Sequence, residues 1–278
     1  MTGDALREAI ESLATAADPD REACRAAVSA LLDALEAGSV RAASPSPHGW
    51  QVSAWVKRGL LLAFRCGVNV STSNPPFHFR DRDLLTTQDP ASGGRNVRVV
   101  PGGSTVRRGA FLGDGVIVMP PAYVNAGAYV DAGSMIDSHA LVGSCAQIGK
   151  RVHLSAAVQV GGVLEPPGAM PVIVEDDAFI GGGCGLYEGT RVGRGAVLAP
   201  AVVLTRAVTL FDTVNGRTIA ASADGTLAVP ECAVVVPGSR PAQGEWARAN
   251  GVSLYAPVIV KYRDAATDAA AALEAALR

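Results

Sequence analysis

A chain of 278 residues with a net charge of −2 and 49% hydrophobic residues has the length for one large domain with appendages, and offers no basic field to draw nucleic acid or an anionic membrane. The opening MTGDALREAI lacks the basic-then-apolar pattern of a secretory leader, and no apolar run of about 18 residues is present to span a bilayer, so a cytoplasmic protein is expected. Cys24, Cys66, Cys145, Cys184 and Cys232 form neither an even framework nor a CxxC pair and are read as reduced packing residues.

Residues 4–16 and 20–36 read as two helices. Asp18-Pro19-Asp20 is a start signal, Ala27, Leu31, Leu32 and Leu35 make an apolar stripe, and Gly38 closes the second helix. SPSPHG at 44–49 is a turn-rich break, after which Ser53 heads a third helix, SAWVKRGLLLAFR, ending before Gly67. The stretch 71–97, rich in Ser, Asn, Pro, Asp and Gly, reads as irregular connection.

Between positions 106 and 210 the period changes. Val, Ile or Leu stands at every sixth position from Val106 through Val160 and again from Val174 through Leu210, at all 17 places. Four residues on, the side chain is small or β-branched, as at Ala110, Ala128, Ser134, Ala146, Cys184 and Ala196. A hexad matches neither a 3.6-residue helix nor an alternating strand; it marks a β-helix, whose short strands form the faces of a prism with every sixth side chain on the axis. Three hexads close one coil, and coils stack about 4.8 Å apart. Gly, Asn or Asp follows the aliphatic residue in many hexads (Gly113, Asn125, Asp131, Asp137, Gly143), and these types are expected to supply the positive φ of a tight corner.

The step from Val160 to Val174 spans fourteen residues where six suffice, so about eight, within LEPPGAMP at 164–171, are pushed out of the stack. Ejecting a loop costs ordering entropy, and with Gly161-Gly162 allowing close backbone approach, a ligand-covering loop is expected. Past Leu210 the chain reads as a hairpin around Asn215-Gly216, short strands near 233–236 and 258–261, and a closing Ala-rich helix from about Asp264. The organisation is thus a helical domain with its connection over 1–97, a β-helix over 98–212 and a strand-and-helix tail over 213–278.

The stretches VSAWVKRGLLLAFR, NVRVVPGGSTVRRGAFLGDGVIVMPPAYVNAGAYVDAGSMIDSHALVGSCAQIGKRVHLS, VGGVLEPPGAMPVIVEDDAFIG and VSLYAPVIVKYRDA closely resemble the tetrahydrodipicolinate N-succinyltransferases of the diaminopimelate–lysine pathway. The likeness runs from about residue 50 onward, and VGSCAQIGK, VHLS and GGVLEP are specific to that family. It implies a homotrimer of left-handed parallel β-helices with active sites between neighbouring prisms. It also implies transfer of a succinyl group from succinyl-CoA, or of another acyl group from its CoA ester, to the amine of an amino-acid-type acceptor. No tightly bound cofactor, metal, nucleic acid or membrane enters that picture.

Site residues follow from the likeness and from stack arithmetic. Asp137 in MIDSH matches the family's active-site aspartate, although an Asp at a corner, like Asp131, also reads as a turn residue. Ser155 lies 18 residues later, hence one coil above Asp137 on the same face, as a hydrogen-bonding neighbour or a plain turn serine. Arg98 in NVRVV matches the arginine that binds the substrate carboxylate, a task suited to a guanidinium. Gly161, Gly162 and Lys261 are assigned to the CoA side.

The departures bear on the acceptor. Where the family reads roughly Gly-Ala-Arg-Ser-Glu before Val-Val-Glu-Gly, this chain has Gly181 to Gly185 as GGGCG, then Leu186, Tyr187, Glu188 and Gly189. Gly185 thus stands for the family's second catalytic carboxylate and Gly183 for its arginine, while Ser138-His139 replaces Thr-Trp. His139, two residues from Asp137, is assigned as a base that partly replaces the missing carboxylate, against the reading of a surface histidine. A specialised pathway with another acceptor or donor, and an inactive CoA-binding relative, stand as alternatives. A carbonic-anhydrase-type site would need three converging histidines, and His139 and His153 are 14 residues apart, not one coil. Sugar or serine O-acyltransferases share the prism but lack the NVRVV and GGVLEP contexts.

Overall fold

A computed structural model describes residues 3–90 and 93–263. The chain is mainly β, with three N-terminal helices: α1 (Gly3–Thr15), α2 (Arg21–Glu36) and α3 (Ala54–Cys66). Asp20 caps α2 by accepting the Ala23 N–H at 2.7 Å, one of the donors a helix start leaves free. Leu31, Leu32 and Leu60 are buried between the helices, and the Cys24 thiol, buried beside Cys66, is pushed up to about 12. The stretches expected as turn and irregular connection hold two antiparallel hairpins, Ala43–Ser46 with Gly49–Val52 and Asn69–Asn74 with Phe77–Arg82. The proline-rich composition of 71–82 hid the second, whose prolines sit in its turn.

Two-residue parallel strands then build a three-sided column. Its first face carries Phe111, Tyr129, Gln147, Ile173, Arg191 and Ala228 outward; its second Arg98, Ile117, Met135, His153, Phe179 and Val197; its third Thr105, Tyr123, Leu141, Gln159, Gly185 and Val203. All 17 aliphatic hexad positions are buried in one continuous core. Each face is an in–out–in triplet: Ala110 and Leu112 point inward with Phe111 between them, and the same holds up the stack. Ser134 is an inward polar residue, paired twice, donating to the Gly149 carbonyl and accepting the Val152 N–H.

The corners differ from the sequence expectation in one respect. Positive φ falls three residues after the aliphatic position, at Gly109, Gly115, Gly127, Gly133, His139, Cys145, Arg151 and Ala157, rather than directly after it. The position directly after it is selected by close approach of the next coil. A Cβ on Gly143 would run into the Gly162 nitrogen, and one on Gly113 would sit 2.6 Å from the Ala132 nitrogen. Where that space opens, Asn125, Asp131 and Asp137 fill it and accept the N–H of the following residue at 2.9, 2.8 and 2.7 Å.

The helical domain packs on the edge between the third and first faces, where Leu32 meets Gly109, Leu60 meets Gly127, and Ala126 and Cys145 join the helical core. The second face is left to other contacts. Near its top lie two long antiparallel strands, Ala233–Pro241 and Ser253–Tyr262, longer than the short tail strands expected. A hairpin spans Asn215-Gly216 as expected, its ends closed by buried Asp212, which accepts from Asn215, Arg217 and Tyr262. Among the described residues the third face ends with the strand of Val203, whose N–H donates to the Tyr255 hydroxyl at 2.8 Å instead of to a further strand. The helix expected from Asp264 lies outside the described residues.

Candidate active site

Asp137 stands on the edge where the second face turns into the third, held by the ladder bond from its N–H to the Leu154 carbonyl at 2.9 Å. Its carboxylate accepts the Ser138 N–H and keeps about a third of its surface open. Ser155 sits one coil above, as the spacing predicts, since Ile136 pairs with Leu154. No hydrogen bond joins the two side chains among the described residues.

The imidazole beside Asp137 is that of His153. Met135 and His153 are register partners, so His153 projects outward one coil above the strand that leads into Asp137, and its Nε2 lies 4.0 Å from Asp137 Oδ2. The ring packs edge-on against Phe179 on the next coil, with centroids 5.1 Å apart. Reading neighbours along the chain picked out His139, two residues on. Reading up the stack finds His153, two residues short of one full coil. The assignment of His139 assumed a strand through 137–139, but the chain is already turning there. His139 is an exposed corner residue with φ 63°, its N–H bonded to the Pro121 carbonyl and its own carbonyl accepting from Gln159 at 3.2 Å.

The other assigned residues are spread out within one chain. Arg98 is exposed on the same face two coils below Asp137, about 10 Å along the axis. Lys261 lies beside Val234, above Val197 at the top of that face. Gly161 and Gly162 leave the stack at a different edge, between the third and first faces, where the close approach they allow is to Ser144 and Tyr187 of the same chain. The excursion they open folds back to the helical domain, its Leu164 packing on that core.

Gly183 and Gly185 are also explained locally. Gly183 occupies a corner at φ +69°. The Tyr187 ring lies over Gly185, so that a Cβ there would meet its Cε2 at 2.6 Å and its hydroxyl at 3.1 Å. Cys184, by contrast, points inward, donates to the Ala199 carbonyl, and has its thiol raised by burial to about 11; buried Cys145 is raised to about 12. Neither is a nucleophile near neutral pH. Among the described residues no three His, Cys, Asp or Glu side chains gather into a metal site, and no helix is long and apolar enough to cross a membrane.

Residues 4–66 match the model of the tetrahydrodipicolinate N-succinyltransferase N-terminal domain, and 171–206 match the hexapeptide repeat of succinyl-transferase. The 2,3,4,5-tetrahydropyridine-2,6-dicarboxylate N-succinyltransferase of Idiomarina loihiensis is 41% identical over 91% of this chain and 89% of its own length. The chain belongs to the tetrahydrodipicolinate N-succinyltransferase family. The namesake enzymes of Polynucleobacter asymbioticus and Bordetella avium are 43% and 42% identical, covering 91% and 98% of this chain and 90% and 97% of their own. Among solved structures, a hexapeptide-repeat acetyltransferase from Vibrio cholerae aligns over 81% of this chain and 93% of its own at 15% identity with a TM-score of 0.34. The fold rests on the strand ladders above and not on that overlap.

Proposed function

We propose that this protein is an acyl-CoA-dependent N-acyltransferase that moves a succinyl group from succinyl-CoA to the amine of an amino-acid-type acceptor, with tetrahydropyridine-dicarboxylate, the acceptor its relatives are named for, as the first to assay. The observation that carries the reading is the length of the likeness: 41% identity over 258 residues takes in both the helical domain and the prism. The β-helix over 98–212 is the catalytic unit, left-handed, and assembled as a homotrimer in a cytoplasmic setting.

The spread of assigned residues within one chain supports a site shared between protomers. Asp137 and Ser155 stand on one edge and Gly161-Gly162 on another, and two prisms side by side bring different edges together. In that cleft Arg98 holds an acceptor carboxylate through charge-assisted hydrogen bonds, and Asp137 with Ser155 orients the amine. Gly161, Gly162 and Lys261 serve the CoA. The raised thiols of Cys145 and Cys184 argue against an acyl-cysteine at either position and are consistent with direct attack of the amine on the thioester.

The test is release of free CoA thiol from succinyl-CoA and from acetyl-CoA across a panel of amino-acid acceptors, with the molecular mass measured in solution. Turnover with succinyl-CoA by a particle of three chains is expected. Tight CoA binding without turnover on any acceptor would overturn the enzymatic reading and leave an inactive relative; turnover only with acceptors other than the cyclic dicarboxylate would identify a diverted pathway.

A further inference from the structure

His48, His78 and His139 are exposed, in a hairpin turn, on a hairpin strand and at a corner, whereas His153 is built into the wall of the prism beside Asp137. Its Nε2 is sealed from solvent and has no hydrogen-bond partner among the described residues, yet the side chain as a whole is 39% exposed. Nδ1 is not sealed in this way, and the open part of the side chain leaves that nitrogen within reach of solvent. A buried imidazole nitrogen left unpaired is costly, and native structures seldom keep one without a reason. Here Nε2 has a reason, because the group it faces is a carboxylate 4.0 Å away.

We infer that His153 is the proton acceptor of the acyl transfer and that Asp137 is its positioning residue, which moves the base assignment from His139 to His153. The inference rests on the reading that acyl transfer occurs at this edge. A carboxylate facing Nε2 favours the tautomer with the proton on Nε2 and leaves the Nδ1 lone pair open to the cleft. The free amine of the acceptor attacks the thioester carbonyl carbon, and a C–N bond forms as the carbonyl electrons move to oxygen. The proton that the nitrogen must lose passes to Nδ1. The oxygen electrons return, the C–S bond breaks, and the imidazolium gives its proton to the departing thiolate. Amine and thioester become amide and thiol, and His153 is neutral again. While it is protonated, Asp137 faces the new positive charge.

The surroundings suit that cycle. Phe179 covers the ring from the coil above and Met135 lies below, so the carboxylate is the charged group that faces it from the neighbouring strand. On the edge leading into this face, Arg151 and, one coil above it, Asp177 are engaged with each other through two hydrogen bonds of 2.7 and 2.8 Å.

His153→Gln and His139→Gln are to be compared with the wild-type protein for CoA release as a function of pH, with CoA affinity and melting temperature measured in parallel. His153→Gln is expected to lower kcat about 100-fold or more at unchanged CoA affinity and to lose the acid limb of the rate profile. Full turnover with an unaltered profile in His153→Gln, or the loss appearing in His139→Gln instead, would overturn the assignment. Nitrogen NMR of labelled histidines decides independently of turnover, and so separates this inference from the proposed activity. His153 is expected as the Nε2–H tautomer, with Asp137→Asn shifting its ring nitrogen signals. A Nδ1–H tautomer, or signals indifferent to Asp137→Asn, would overturn it even if the wild-type protein turned over no acceptor.

Discussion

The Lys57 ammonium, fully buried in α3, donates to the Ala169 carbonyl at 2.6 Å and so fastens the tip of the excursion to the helical domain. The loop is thus a strap between the two parts of the chain. Lys57→Met keeps the buried volume but removes the bond, and proteolytic cleavage within 164–171 is expected to speed up while the rest of the chain stays resistant. Burial also lowers the lysine's pKa, so the folded chain holds that proton less tightly than the unfolded one. Wild-type stability should accordingly rise relative to Lys57→Met as the pH climbs toward the ordinary lysine value of about 10.4. Denaturant titrations of both proteins across that range check the sign.

Gly143 and Gly183 separate the two reasons for glycine in the coils. At Gly143 a Cβ would strike the backbone of Gly161 and Gly162, which cannot swing aside; at Gly183 there is open space but φ is +69°. Gly143→Ala is expected to cost about 3 kcal/mol and Gly183→Ala about 1 kcal/mol in urea unfolding. Equal losses would show that corner conformation and not coil contact sets the demand.

Restoring a carboxylate at position 185 tests what Tyr187 does. In Gly185→Glu the new Cβ collides with the ring of Tyr187, a side chain that is 42% exposed. A loss of about 1 kcal/mol or less is expected, since only the far end of a surface side chain moves. Gly185→Glu combined with Tyr187→Val should recover it, as thermal unfolding of the single and double variants would report.

Asp212 links the tail to pH. Burial pushes its carboxyl pKa up, but hydrogen bonds from Asn215, Tyr262 and Arg217 outweigh that and hold it at about 2. A carboxyl held below its unfolded value of about 3.9 stabilises the fold above that pH and loses its contribution as the pH falls toward 2. The stability gap between wild type and Asp212→Asn is therefore expected to be widest near neutrality and to close between pH 4 and 2, measured by urea unfolding at each pH.

The hexad pattern carried most of the fold because the inward side chains are set by period alone: Val106 through Leu210 are buried wherever six-residue steps place them. The long tail strands were less legible, since Pro237, Gly238, Pro241 and Pro257 read as breakers. In the structure Pro237 pairs opposite Pro257 in an antiparallel arm, where missing N–H groups can face away from the partner. The placement of Ser155 one coil above Asp137 was legible through the 18-residue period. The approach of His153 to Asp137 was not, because the two meet across the stack and a search along the chain passes over it.

The hydroxyl of Tyr255 on the Val203 N–H has a consequence for the molecule as a material. A stack of parallel strands is a template that any further strand could extend, as fibrils do. With that donor occupied and the long tail arm paired on the neighbouring face, a strand adding to the third face would first have to displace the Tyr255 hydroxyl.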